Sequence, residues 1–136
     1  MKLLHLADLH LGKRVYEFSM LEDQKYILQQ ILDMLEIEQI DGILFAGDIY
    51  DTSNPPAQAE KLFYRTVSEL AENGKRCVVI IAGNHDNPER LSAASPLAHE
   101  QGIIILGMPD SFIDIHKYDE EYNRGRRFGL FHFVKR

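Results

Sequence analysis

Residues that commonly bind metal ions follow three short apolar runs of this chain, at the points where strands would end. Asp8 and His10 follow the first run, Asp48 follows the second, and a Gly-Asn-His-Asp segment at 83–86 follows the third. A single Asp-x-His pattern is weak, but all three segments in this order are hard to obtain by chance. The arrangement predicts a sheet whose strand ends bring these polar side chains together.

Strand-like and helix-like segments alternate along the first hundred residues. Short apolar runs predict four strands, at 3–7, 43–46, 78–82 and 103–106. Apolar residues at three- and four-residue steps predict helices over 18–39, from the 55–56 proline pair to Asn73-Gly74, and from residues 87–88 to about residue 100. This alternation predicts an α/β fold with a largely parallel sheet flanked by helices. Open sheets of this kind place their sites at the carboxyl ends of the strands.

The pattern changes after residue 106. Residues 112–116 and 128–134 are predicted to be extended, and the polar stretch 117–127 to be a turn between them. Because no closing element follows, we expect residues 1–136 to be the N-terminal part of a longer domain. An apolar face left uncovered favours self-association, so we expect a homo-oligomer that buries residues 128–134.

Composition excludes several classes of protein. With 45% hydrophobic and 26% charged residues the chain is globular, and no apolar run approaches the roughly 20 residues of a membrane span. The first apolar stretch meets Asp8 too soon for a signal peptide, and the single Cys77 cannot form an internal disulfide, so we expect a cytoplasmic protein. The net charge of −6 counts against a free-standing DNA clamp but not against a metal-dependent phosphoesterase.

Carboxylate, imidazole and amide oxygen together suit Mn²⁺, Fe²⁺ or Zn²⁺. Asp8 and His10 are two residues apart, so in an extended strand end both side chains would point the same way and share one ion. Asp48 has two oxygens and can bridge two ions, and Asn84 can offer its carbonyl oxygen to the second. Two ions about 4 Å apart activate water and clamp phosphate oxygens. His85 suits a general acid or a cationic stabiliser of the leaving oxygen.

Each of these residues also has a structural interpretation. Asp8 or Asp48 could cap a turn or helix, His10 could lie on the surface, and residues 84–86 could be ordinary turn residues. Asp51 could support the metal site or cap its own loop. Arg90 could contact phosphate, although an exposed helix charge is the simpler interpretation. The remaining candidates are expected to be structural or surface residues, namely His5, His99 and His116.

The three motifs, in this order, resemble those of the calcineurin-like metallophosphoesterases. Their flanks, residues 5–12, 47–56 and 83–88, are similar to those of the SbcD-type nuclease subunits of the bacterial SbcCD complex. The resemblance implies a two-sheet α/β sandwich, of which only the first part is present. It implies that Asp8, His10, Asp48 and Asn84 bind two divalent metal ions, with Mn²⁺ as the expected metal, and that His85 is catalytic.

The resemblance also implies Mn²⁺-dependent hydrolysis of DNA, as exonuclease and endonuclease, under the control of an SbcC-type ATPase partner. The family completes its metal site with further histidines, including a Gly-His-x-His segment that this sequence does not contain. His132 falls where the family often has proline, so it is not expected to be a metal ligand. Asp51 falls where some relatives have a second active-site histidine, so that histidine's role in leaving-group chemistry does not transfer to it.

Three hypotheses follow from the sequence. The first is a nuclease subunit of SbcD type, with this portion inactive on its own. The second is another phosphoesterase, acting on small phosphodiesters or phosphoproteins. The third is a non-catalytic half-domain that retains affinity for Mn²⁺ without turnover.

Overall fold

The computed structural model describes residues 2–108, 110 and 111. Their centre is a four-stranded parallel sheet in the spatial order Leu3–Leu6, Gly42–Ala46, Cys77–Ile81 and Ile103–Leu106, which confirms the predicted α/β fold. In chain order the elements are β1 Leu3–Leu6, β2 Arg14–Val15, β3 Phe18–Ser19, α1 Leu21–Glu38, β4 Gly42–Ala46, α2 Ala57–Ala71, β5 Cys77–Ile81, α3 Pro88–Ser92, α4 Ser95–His99 and β6 Ile103–Leu106.

The two long helices form because their apolar residues repeat with the helical period. In α1, Leu28 and Leu35 are buried seven residues apart, and α2 buries Phe63, Val67 and Leu70 along one face. Helix α2 ends at Ala71, slightly before the predicted Asn-Gly stop, because Glu72 already adopts a left-handed conformation.

The described helices pack on one face of the sheet. Every crossover moves one strand further in the same direction, so right-handed connections place the helices on the same side. The strand residues of the main core are Leu4, Leu6, Ile43, Phe45, Val78, Ile80, Ile103 and Ile105. On the opposite face a second apolar cluster, Leu44, Cys77, Val79, Ile104 and Leu106, consists of strand residues only within the described part of the chain.

Two predicted helices differ from the structure. The first begins at Leu21 instead of residue 18, because residues 14–19 form the small antiparallel hairpin β2–β3, closed by a 3.0 Å bond from Met20 N–H to the Lys13 carbonyl. The third is divided into α3 and α4, since Pro96 has no N–H to continue the helical bonding of the preceding turn. The segments predicted at 112–116, 117–127 and 128–134, with His116 and His132, lie outside the described residues.

None of the helices in the described part of the chain is long and apolar enough to span a membrane.

Candidate metal centre

The loops after β1 and β4 are joined to each other beyond the sheet. Asp8 N–H donates to the Gly47 carbonyl at 3.2 Å, His10 N–H to the Asp48 carbonyl at 3.0 Å, and Leu11 N–H to the Ile49 carbonyl at 2.9 Å. These bonds continue the pairing of the two strands after both have ended. They fix the Asp8 and His10 backbone against that of Asp48.

Three of the predicted ligands have a left-handed backbone. The φ angles are 56° at Asp8, 43° at His10 and 49° at Asp48, in a region that costs a non-glycine residue about 1 kcal/mol. Strand β1 ends at Leu6, so Asp8 and His10 do not come together through the alternation of an extended strand, as the sequence suggested. They come together in an irregular loop in which both residues have the left-handed conformation, and such strain commonly accumulates at functional sites.

Two glycines allow the loops after β4 and β5 to touch. A Cβ atom added to Gly47 would lie 2.9 Å from the Cα atom of Gly83. A Cβ atom added to Gly83 would lie only 2.2 Å from both the backbone nitrogen and Oδ1 of Asp48. The Asp48 carboxylate therefore occupies space that only glycine leaves free at position 83.

The donor atoms of Asp8, His10 and Asp48 converge. His10 Nε2 lies 3.8 Å from Asp8 Oδ1 and 3.9 Å from Asp48 Oδ2, and one donor atom from each of the three residues lies within 4.8 Å of the other two. Within the described residues, the ion pairs of these two carboxylates involve His10 and no lysine or arginine. Two carboxylates and an imidazole without a neutralising cationic side chain form a donor set that fits a divalent ion.

His85 borders this donor set. Its backbone N–H donates to Asp48 Oδ1 at 3.0 Å, and its ring meets the His10 ring edge-on, with centroids 4.8 Å apart. A hydrogen bond between Nδ1 and the Asp51 carbonyl, at 2.9 Å, raises the pKa of His85, and the carboxylates of Asp48 and Asp51 add to the effect. The ring is exposed and so can reach a bound molecule.

Asn84 is placed by its neighbours. Gly83 packs against Asp48, and the backbone N–H of His85 donates to the Asp48 carboxylate. The Asn84 backbone, between these two residues, therefore lies beside the same carboxylate. The residue is exposed. The proposed role of the Asn84 carbonyl as a ligand stays a prediction, as do the roles of the other candidates.

Asp86 supports the site in a way that the sequence did not indicate. The side chain is buried, and its Oδ2 accepts from Gly83 N–H at 2.8 Å and from Ile49 N–H at 3.1 Å. Its Oδ1 accepts from Tyr50 N–H at 2.9 Å. One carboxylate thus joins the loops on both sides of the Asp48–Gly83 contact, whereas in the sequence Asp86 resembled an ordinary turn residue.

Gln24, on the first turn of α1, holds the first loop. Its Nε2 donates to the Leu9 carbonyl at 3.1 Å and to the His10 carbonyl at 2.7 Å, and its Oε1 accepts from Gly12 N–H at 3.0 Å. No spacing rule connects a helical glutamine with a loop twelve or more residues earlier, so the sequence contained no signal for this contact.

Arg90 is occupied by protein groups. Its Nε and Nη2 donate to the two carboxylate oxygens of Glu60 at 2.7 and 3.1 Å, and Nη1 donates to Asn54 Oδ1 at 3.1 Å. The side chain fastens α3 to α2, which supports the interpretation as a helix charge over a phosphate contact. Of the remaining histidines, His5 is exposed on β1 and His99 is half-buried in α4.

Residues 1–132 match the family of calcineurin-like phosphoesterases. The chain belongs to this family. The resemblance inferred from the three motifs is therefore confirmed.

Three curated relatives carry the same name, that of the SbcD subunit of nuclease SbcCD. The chain is 55% identical to the protein of Bacillus subtilis (strain 168) over 109 residues, which are 80% of this chain and 28% of that protein. It is 47% and 43% identical to the proteins of Staphylococcus epidermidis and Staphylococcus saprophyticus, each over 95 residues, 70% of this chain and 25% of the relative. The chain thus spans about a quarter of the length of these relatives.

Proposed function

We propose that this chain is part of an SbcD-type nuclease that hydrolyses DNA phosphodiester bonds with two divalent metal ions. The metal we propose is Mn²⁺. The observation that carries the proposal is the convergence of Asp8, His10 and Asp48 beside His85, in a calcineurin-like phosphoesterase whose curated relatives are named nuclease subunits. Net charge does not oppose it, because bound divalent ions offset the acidic character at the point where phosphate binds.

The residues divide the work according to their chemistry. Asp8 and His10 would hold one ion, Asp48 would be shared, and Asn84 would contribute to the other. Such ions supply an activated water and a positive clamp for phosphate oxygens. The exposed imidazole of His85 would protonate the leaving oxygen or stabilise its charge, and its raised pKa favours the protonated form that this role needs.

The proposal extends to partners and setting. As the resemblance to SbcD-type nuclease subunits implies, the protein would act on DNA with an SbcC-type ATPase subunit, in repair and recombination. The composition favours a cytoplasmic setting, and the uncovered apolar face favours self-association. We also propose that residues 1–136 have little activity alone. With Asp48 shared, one ion would have three protein ligands, but the other would have only Asp48 and Asn84, one fewer than the three that catalytic zinc sites usually have.

The decisive experiment is Mn²⁺-dependent cleavage of end-labelled linear duplex DNA. It compares this chain, the longer protein that contains it, and Asp48→Asn versions of both, with Asp33→Asn as a control on the exposed side of α1. We expect cleavage by the longer protein, a loss of at least about a hundredfold with Asp48→Asn, and no change with Asp33→Asn.

A chromogenic phosphodiester distinguishes the other phosphoesterase hypothesis. Asp48-dependent hydrolysis of that small substrate without DNA cleavage by the longer protein would overturn the nuclease assignment. Cleavage of DNA by the 136-residue chain itself would support the assignment and overturn the proposal that it is inactive alone.

A further inference from the structure

Asp51 contacts both histidine rings of the site. Its Oδ1 is 3.3 Å from His10 Nδ1, and its backbone carbonyl is 2.9 Å from His85 Nδ1. Its own N–H donates to the Leu11 carbonyl at 3.2 Å, which fixes its backbone to the loop that carries His10. One residue thus presents two different oxygen atoms to two different rings.

His10 Nδ1 has an unmet hydrogen-bonding requirement, and the Asp51 carboxylate lies within ion-pair distance of it. His10 Nδ1 is buried and has no hydrogen-bond partner of good geometry, and such a nitrogen is costly unless an acceptor is close. The Asp51 carboxylate is the group within reach, and it can only accept. A proton placed on Nδ1 would face this carboxylate and leave the Nε2 lone pair directed at Asp8 and Asp48.

The Asp51 backbone carbonyl determines the position of the proton on the His85 ring in a similar way. A carbonyl oxygen can only accept, so His85 Nδ1 carries a proton in this geometry. The other ring nitrogen, Nε2, is then the one that gives or takes a proton at the exposed side of the ring.

The loop-cap interpretation of Asp51 does not fit the contacts. Within the described residues, its carboxylate accepts no backbone N–H, whereas Asn87 Oδ1 accepts from Arg90 N–H at 3.0 Å in a true cap. A capping side chain also would not need to face a histidine nitrogen.

We infer that Asp51 is a positioning residue that selects the Nδ1–H tautomer of both histidines, of His10 through its carboxylate and of His85 through its backbone carbonyl. The inference deepens the proposed function and rests on it, because it concerns how the metal ligand and the catalytic histidine of that site are oriented. It does not depend on the substrate being DNA.

The test is the tautomer of each ring in the metal-free chain, read from ¹⁵N shifts and long-range ¹H–¹⁵N couplings at about pH 9, where imidazoles are neutral. We expect Nδ1–H at both His10 and His85 in the unmodified protein. An Nε2–H tautomer at either ring would overturn the inference without any variant being made.

Variants distinguish the role of the Asp51 carboxylate from that of its backbone carbonyl. Asp51→Ala removes the carboxylate and keeps the carbonyl, so His10 should change tautomer while His85 keeps its own. Mn²⁺ affinity, measured by calorimetry, should fall about ten- to a hundredfold. Asp51→Asn, whose amide oxygen still accepts, should restore much of both properties, and Asp33→Asn should change neither.

An unchanged His10 tautomer and an Mn²⁺ affinity within about twofold in Asp51→Ala would contradict the role of the carboxylate. These readouts remain interpretable if DNA cleavage is never found, so failure of this inference and failure of the nuclease assignment can be distinguished.

Discussion

Asp8, His10 and Asp48 have left-handed backbones, so these residues adopt a conformation that is locally unfavourable in order to place their side chains in the site. Such conformations persist only where the surroundings over-determine them. Here the backbone bonds between the first two loops and the tight packing of Asp48 against Gly83 supply that constraint. The strain is therefore maintained by contacts that would not themselves involve a metal ion.

Asp86 is the most consequential of the supporting residues. Asp86→Ala would leave three backbone N–H groups, of Ile49, Tyr50 and Gly83, without their acceptor in the protein interior. We expect the free energy of unfolding to fall by about 3 to 5 kcal/mol, measured by urea denaturation. Mn²⁺ affinity should fall as well, because the loop that carries Asp48 loses its attachment.

Two matched variants sharpen this prediction. Asp86→Asn keeps one acceptor oxygen and should be intermediate in stability. Asp33→Ala removes an exposed carboxylate from α1 and should change the free energy of unfolding by no more than about 0.5 kcal/mol. Equal stability of Asp86→Ala and the unmodified chain would show that these bonds do not hold the loops.

At the scale of secondary-structure elements, the strands and the two long helices follow from hydrophobic period alone. The sequence also predicted that Asp8, Asp48 and the 83–86 segment would follow neighbouring strands, because parallel strands end at one edge. It did not indicate the β2–β3 hairpin, whose strands are two residues each and whose side chains are exposed. Nor did it predict the roles of Gln24 and Asp86, since these act on backbone groups that are distant in sequence and leave no periodic signal.

The attachment of α3 to α2 gives a prediction that depends on pH. The Arg90 hydrogen bonds lower the pKa of Glu60 from its ordinary value of 4.5, so the folded state favours the ionised carboxylate. The stability that the pair contributes is present above that ordinary value and is lost as pH falls through the lowered pKa. We expect Glu60→Gln to reduce the free energy of unfolding by about 0.5 to 1 kcal/mol at neutral pH, since the pair is partly exposed.

Denaturation at pH 7 and at about pH 3 tests this, because the difference between Glu60→Gln and the unmodified chain should shrink at the lower pH. Glu69→Gln is the matched control, since it removes the half-exposed partner of Arg65 on the same helix and should have little effect at either pH. A deficit in Glu60→Gln of the same size at both pH values would mean that packing, not charge, is responsible.

For the whole molecule, the candidate metal centre joins three separate stretches of chain. Asp8, Asp48 and the 83–86 loop follow β1, β4 and β5, and their acidic groups gather at one edge of the sheet. Without an ion, Asp8, Asp48 and Asp51 share only the imidazole of His10 as an ion-pair partner among the described residues. The free energy of folding and the binding of metal are therefore expected to be linked.

Asp48→Asn tests this linkage because it should affect the two states in opposite ways. Without metal, its amide oxygen can still accept from His85 N–H, asparagine tolerates the left-handed backbone, and one negative charge is removed. We expect the stability of the metal-free variant to be unchanged or higher by up to about 1 kcal/mol. The unmodified chain should gain about 2.7 kcal/mol when free Mn²⁺ is about a hundred times the dissociation constant, and the variant should lose most of that gain. Thermal denaturation with EDTA and with Mn²⁺ measures both effects. An equal Mn²⁺-induced rise in Tm in the two proteins would show that Asp48 is not a metal ligand.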